Sequence, residues 1–174
     1  MTESALRDLL LEALTLKRVS RAGWDRHGIA DPESVAAHSW GVSWLVLVLC
    51  PSHLDRHKAL ALAILHDLPE VRCGDITPHD GIAAEEKEHL ETAALSDLLG
   101  ELPQKSELMA LWQEYQHASS LEAHFVKACD KLDMALQAEL YAADHPELNL
   151  QEFIDSALKK LSGNTLAGLV NPKI

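Results

Sequence analysis

Long apolar runs, alternating strand-like segments, paired cysteines and basic residues are all in short supply here, and each shortage removes a class of protein. The largely apolar stretch at residues 42–50 is much too short to span a bilayer, and the N-terminus Met1-Thr2-Glu3-Ser4 lacks the basic start of a secretory signal. The three cysteines, Cys50, Cys73 and Cys129, are far apart and odd in number, with no C-x-x-C pair, which argues against a disulfide framework or a cysteine zinc site. The expectation is a soluble, cytoplasmic protein with reduced thiols and no membrane partner. Lys and Arg total 15 against 27 Asp and Glu, a formal charge of -12, so the surface repels nucleic-acid backbones and polymeric DNA or RNA is a poor partner. A small phosphorylated substrate stays possible, because one or two Arg and a metal ion outweigh the net field at short range.

What is present is helical. At 174 residues the chain fits one domain with a sizeable core. Apolar residues recur at helical spacing, as in Leu6, Leu9, Leu10, Ala13 and Leu14, and predict an all-α, compact bundle of about six to seven helices. Helices are expected at about residues 4–17, from Pro32-Glu33-Ser34 to 50, from an Asp55 cap to about 71, and at 83–99, 105–117, 121–144 and 150–161. Residues 20–32 read as a long loop, of the kind that is often functional. The domain is expected to occupy 1–162, and the Gly-, Asn- and Pro-containing tail 163–174 to be mobile. Trp40 and Trp44, four apart on one helix, read as a core pair.

Chemistry concentrates at a few polar residues inside apolar helices. His66-Asp67 ends the run Ala59-Leu60-Ala61-Leu62-Ala63-Ile64-Leu65, and a buried unpaired carboxylate there would be costly, whereas a divalent cation offsets the cost and suits mixed N and O ligands. Taken alone, such a dipeptide more often marks a helix end where Asp67 meets solvent. Glu70 lies four residues after His66 and three after Asp67, near one side of the same helix end, where the dipole disfavours an anion without a purpose. His38, between small and apolar neighbours, and Asp130, in Val126-Lys127-Ala128-Cys129-Asp130-Lys131-Leu132, offer two further ligands from separate helices.

The order histidine, histidine-aspartate, distant aspartate resembles the HD-domain superfamily of metal-dependent phosphohydrolases. More closely, four blocks resemble its 5′-deoxynucleotidase branch: Leu16 to Trp24, Pro32 to Ser39, Leu65-His66-Asp67-Leu68-Pro69-Glu70, and Gly74-Asp75-Ile76-Thr77-Pro78. The likeness runs over about residues 14–144. It implies His38, His66, Asp67 and Asp130 as ligands of one divalent metal ion, without distinguishing cobalt, manganese, magnesium or zinc. It implies catalytic roles for Glu70 and Asp75 and substrate binding by Arg21 and Trp24, and it implies a homodimer. A guanidinium can grip a phosphate and an indole can pack on sugar or base. On the residues alone, Arg21 reads equally as part of a basic surface run, Trp24 as a loop anchor, and Asp75 as the cap of the following turn. Ala37 departs from the pattern, since relatives often carry an acidic residue there, so a hydrogen bond orienting His38 is expected to be missing.

These features predict a metal-dependent phosphomonoesterase that hydrolyses deoxyribonucleoside 5′-monophosphates. Other phosphoesters form the nearest alternative. A di-iron oxygenase would need extra histidines between Asp67 and Asp130, where only His89 and His124 lie well inside helices. A non-catalytic metal-binding interaction protein would leave Arg21, Glu70 and Asp75 facing away from the metal.

Overall fold

The computed structural model describes all 174 residues and is all-helical, with a single isolated antiparallel bridge between Ser20 and Ser34. Seven helices have ten or more residues: α1 (Glu3–Leu14), α3 (Val35–Leu49), α4 (Arg56–Leu65), α6 (Ala84–Leu99), α7 (Lys105–Gln116), α8 (Leu121–Asp144) and α9 (Gln151–Lys160). Two short ones, α2 (Ala22–Arg26) and α5 (Glu70–Cys73), lie in the segments that shape the site. No helix is long and apolar enough to cross a membrane.

Caps explain the principal boundaries. Asp55 accepts hydrogen bonds from the His57 and Lys58 amides and opens α4, and Ser120 does the same for Ala123 and α8. The α3 cap is Ser34, which accepts from the Ala37 amide, so Pro32 and Glu33 lie outside the helix they were expected to begin. They stay extended because residues 19–21 and 33–35 pair: Arg21 N donates to Glu33 O and Val35 N to Val19 O.

Helices α3, α4 and α8 pack on one another, α9 covers α8, and α7 leans on α4 and α8. Val42, Val46, Leu62, Val126, Leu132 and Ile154 are fully buried between them, each contributing about 1.5–3 kcal/mol of apolar burial. A smaller cluster of Leu95, Leu99 and Trp112 joins α6 to α7.

Two expectations change. The helix predicted to run from Asp55 to residue 71 ends at Leu65, because Pro69 has no N–H and its ring would collide with the Leu65 carbonyl. The chain continues in tight turns, Leu68 N to Leu65 O and Glu70 N to Asp67 O, each at 3.1 Å. Trp40 and Trp44 are not core residues: they are 71% and 52% exposed. A helix that is apolar nearly all round gives no sequence signal for which face meets the core. Packing also continues past residue 162: residues 165–169 form a 3-10 turn, and Leu166 and Val170, four apart, are buried in the main core.

Candidate metal centre and substrate cavity

The centre lies where α3, the end of α4 and the middle of α8 meet. His38 and His66 approach Nε2 to Nε2 at 3.4 Å. Asp67 Oδ2 is 3.0 Å from His66 Nε2 and 3.6 Å from His38 Nε2, and Asp130 Oδ1 is 3.4 Å from His38 Nε2. The other imidazole nitrogens are occupied. His66 Nδ1 donates to the Ala63 carbonyl at 2.7 Å, and His38 Nδ1 donates to Asp133 Oδ2 at 2.7 Å. In the neutral rings both Nε2 atoms therefore present lone pairs, to each other and to two carboxylates. His38, His66 and Asp67 bring acceptor atoms close enough together to hold a metal ion, with Asp130 beside His38, and this mixed N and O set suits a divalent cation.

The charge state agrees. Burial and Arg21 oppose charge on His38, yet hydrogen bonds to Asp130 and Asp133 outweigh them and push its pKa up to about 9. Without a metal, a proton occupies the cation's place. Burial likewise opposes ionisation of Asp67 and Asp130, but the His66 charge and hydrogen bond for Asp67, and Lys131 and His38 for Asp130, hold both well below the usual carboxylate range.

The other predicted site residues border the same centre. Arg21 NH1 lies 3.6 Å from both Asp67 and Asp75. Asp75 does not cap its own turn; Gly74, at φ 72 and ψ 173, turns the chain back so that Asp75 Oδ2 accepts from the Ala22 amide at the start of α2. Only glycine adopts that backbone conformation without strain. Glu70 is 3% exposed and its Oε2 has no hydrogen-bond partner. Burial, then the charges of Asp67 and Asp75, push its pKa well above the usual carboxylate range. Trp24 is buried against Phe153 and Tyr141 and donates to Glu33 Oε1, so it anchors the loop while also lining the cavity. A cavity of about 470 Å³ opens over these groups, bordered by Arg21, Trp24, Asp67, Glu70, Asp75 and Asp130.

Several participants lay outside the sequence reading. Asp133 supplies from α8 the hydrogen bond to His38 whose loss Ala37 suggested; it follows Asp130 by three residues, hence on the same helix face. Gly41 makes room for it, since a Cβ there would come within 2.0 Å of Asp133 Oδ1. Tyr115 donates to Asp130 Oδ2 at 3.2 Å, and Trp112 donates to the His66 carbonyl left free by the helix end. Lys87 ties the loop after Asp75 to α6, donating to Ile76 O at 2.7 Å and pairing with buried Glu91. His89 and His124 are solvent-exposed, so neither joins the centre.

Residues 13–167 match the HD domain model. The chain belongs to the HD-domain family. Among proteins of that type, it is 39% identical over 159 residues to 5′-deoxynucleotidase HDDC2 of Bos taurus, covering 90% of this chain and 78% of that one. The Homo sapiens HDDC2 protein is 38% identical over the same length, with the same coverage. A solved structure of a conserved hypothetical protein from Pyrococcus furiosus superposes on this HD domain with a TM-score of 0.78 at 38% identity, over 92% of each chain.

Proposed function

We propose that this HD-domain protein is a metal-dependent 5′-deoxynucleotidase, hydrolysing deoxyribonucleoside 5′-monophosphates to the deoxynucleoside and phosphate. The observation that carries the reading is the position of Asp67, whose Oδ2 faces the two imidazoles on one side and the Arg21 guanidinium on the other. A phosphate placed at the candidate metal centre is thereby beside Arg21. The similarity to proteins named 5′-deoxynucleotidase supports the substrate class.

His38, His66, Asp67 and Asp130 would hold one divalent ion, which when bound supplies positive charge to the phosphoryl group and acidifies water. Arg21 steadies the remaining phosphate charge, and the paired Asp67 and Asp75 carboxylates fix its direction. Glu70 keeps a proton beside the cavity and passes it to the departing 5′ oxygen, while Asp75 orients water and holds the start of α2. Trp24 restricts space near the sugar through the loop it anchors.

The same reading includes a homodimer. Trp40, Trp44, Leu47 and Val48 along α3 are half or more exposed at nearly every position, and an apolar stripe of this kind on one helix supports an interface.

The test is phosphate release from 5′-deoxyribonucleotides, 5′-ribonucleotides and 3′-nucleotides by chelator-stripped protein resupplied with cobalt, manganese, magnesium or zinc. Metal-dependent release confined to the 5′-deoxy set and absent in Asp67→Ala is expected. Equal release from ribonucleotides would overturn the proposed selectivity, and no release with any metal would overturn the reaction.

A further inference from the structure

Four Lys and Arg residues border the main cavity: Arg21, Lys87, Lys127 and Lys131. Three are already neutralised, Arg21 by Asp67 and Asp75, Lys87 by Glu91, and Lys131 by Asp130. Lys127 is the exception. No carboxylate lies within 4 Å of its ammonium, in a chain that holds 27 acidic residues. Its Nζ sits instead over the Tyr115 ring, 4.2 Å from the centroid. That ring in turn hydrogen-bonds Asp130, so the ammonium is held beside the candidate metal centre.

Helix geometry explains the placement. Lys127 precedes Asp130 by three residues on α8, which puts both on the face that looks into the site. Partial burial, helped by the charge of Lys131, holds its pKa below the usual lysine value although Asp130 pulls the other way. A second recess of about 520 Å³ begins behind it, and Asp130 is the only acidic residue there, beside Lys131, Lys160 and His124. The acidic residue on that side, Asp130, is itself paired with Lys131.

We infer that Lys127 is a phosphate-binding residue, set across the cavity as the free cation that an incoming phosphoryl group neutralises. A phosphate monoester near neutrality carries about two negative charges. Arg21, Lys87 and Lys131 already share their charge with carboxylates, whereas Lys127 gains its first ion pair. The cation–π contact keeps the ammonium oriented while the cavity is empty of anion and leaves its donors available. This inference rests on the phosphomonoesterase reading for its substrate, though not for the anion site itself.

The experiment compares wild type, Lys127→Met and Lys127→Arg in three readouts: calorimetric titration of the metal-loaded protein with inorganic phosphate, steady-state hydrolysis of a deoxyribonucleoside 5′-monophosphate, and thermal unfolding. Loss of one charge-assisted contact predicts phosphate binding weakened about tenfold to a hundredfold in Lys127→Met, with KM raised similarly and much of the binding restored in Lys127→Arg. The midpoint of unfolding is expected to hold or rise in Lys127→Met, because a half-buried charge without a counter-ion is removed. Unchanged phosphate affinity in Lys127→Met, or no phosphate binding by wild type, would overturn the assignment, as would a fall of several degrees in its unfolding midpoint. If wild type binds phosphate but hydrolyses no deoxynucleotide, the nucleotidase reading fails while the titration still decides Lys127.

Discussion

Two buried imidazoles that both commit Nδ1 to protein acceptors have one use for their facing Nε2 lone pairs, which is a cation. In the metal-free protein that cation is a proton on His38, whose pKa is raised to about 9. A group with a raised pKa stabilises the fold fully below its unfolded value, about 6.5, and that contribution is lost as pH rises through 9. Metal must displace the same proton. Apparent metal affinity, measured by competition with a chelating dye, is therefore expected to rise up to about tenfold per pH unit between about 6.5 and 9; a flat profile would contradict the shared site. Asp133→Ala removes the acceptor that orients His38 and is expected to weaken metal binding about tenfold to a hundredfold, with unchanged affinity as the contrary result. At this scale the sequence was informative where a polar residue interrupted an apolar helix, as at His38, His66-Asp67 and Asp130. It was silent on Tyr115 and Lys127, whose importance comes from what lies across the cavity. Asp133 was within reach, three residues after Asp130, but one carboxylate among 27 stands out only once its partner is known.

The elements that shape the site are the ones composition described least well. Caps and helical periodicity recovered the seven longer helices to within a few residues at most ends. The five-residue α2 inside the expected loop begins where the Ala22 amide meets Asp75, 53 residues away in sequence, a contact no local pattern contains. Pro69 did carry a local signal, since it ends α4 just before His66 and leaves the turns that present Asp67 and Glu70. Gly74 then reverses the chain toward Arg21. A Cβ at Gly74 would meet nothing within 4 Å, so its requirement is conformational. Gly74→Ala is expected to cost about 1–3 kcal/mol, lowering the unfolding midpoint by about 2–4 °C per kcal/mol for a chain of this size. It should also lower turnover by misplacing Asp75. An unchanged midpoint and rate would show that the turn tolerates a side chain.

For the whole molecule, the all-α bundle was legible because helical period recurs along the chain, and the meeting of His38, His66, Asp67 and Asp130 because each interrupts or ends an apolar helix. Which apolar residues face outward was not, because periodicity alone cannot tell a core contact from an interface. Trp40 and Trp44 are the clearest case. Sedimentation equilibrium is expected to show a dimer for the wild type and a monomer for Trp40→Ser/Trp44→Ser, whose folded state should otherwise persist. A wild-type monomer at all concentrations would contradict the proposed interface.

The central claim is that His38, His66, Asp67 and Asp130 hold one divalent ion on which phosphomonoester hydrolysis depends. The most direct measurement titrates metal into chelator-stripped wild type and Asp130→Ala while following phosphate release from a deoxyribonucleoside 5′-monophosphate. The account predicts activity that rises from zero and saturates at one ion per chain in the wild type, with little activity and weakened metal binding in the variant. Full activity in excess chelator, or an Asp130→Ala protein that titrates like the wild type, would contradict it.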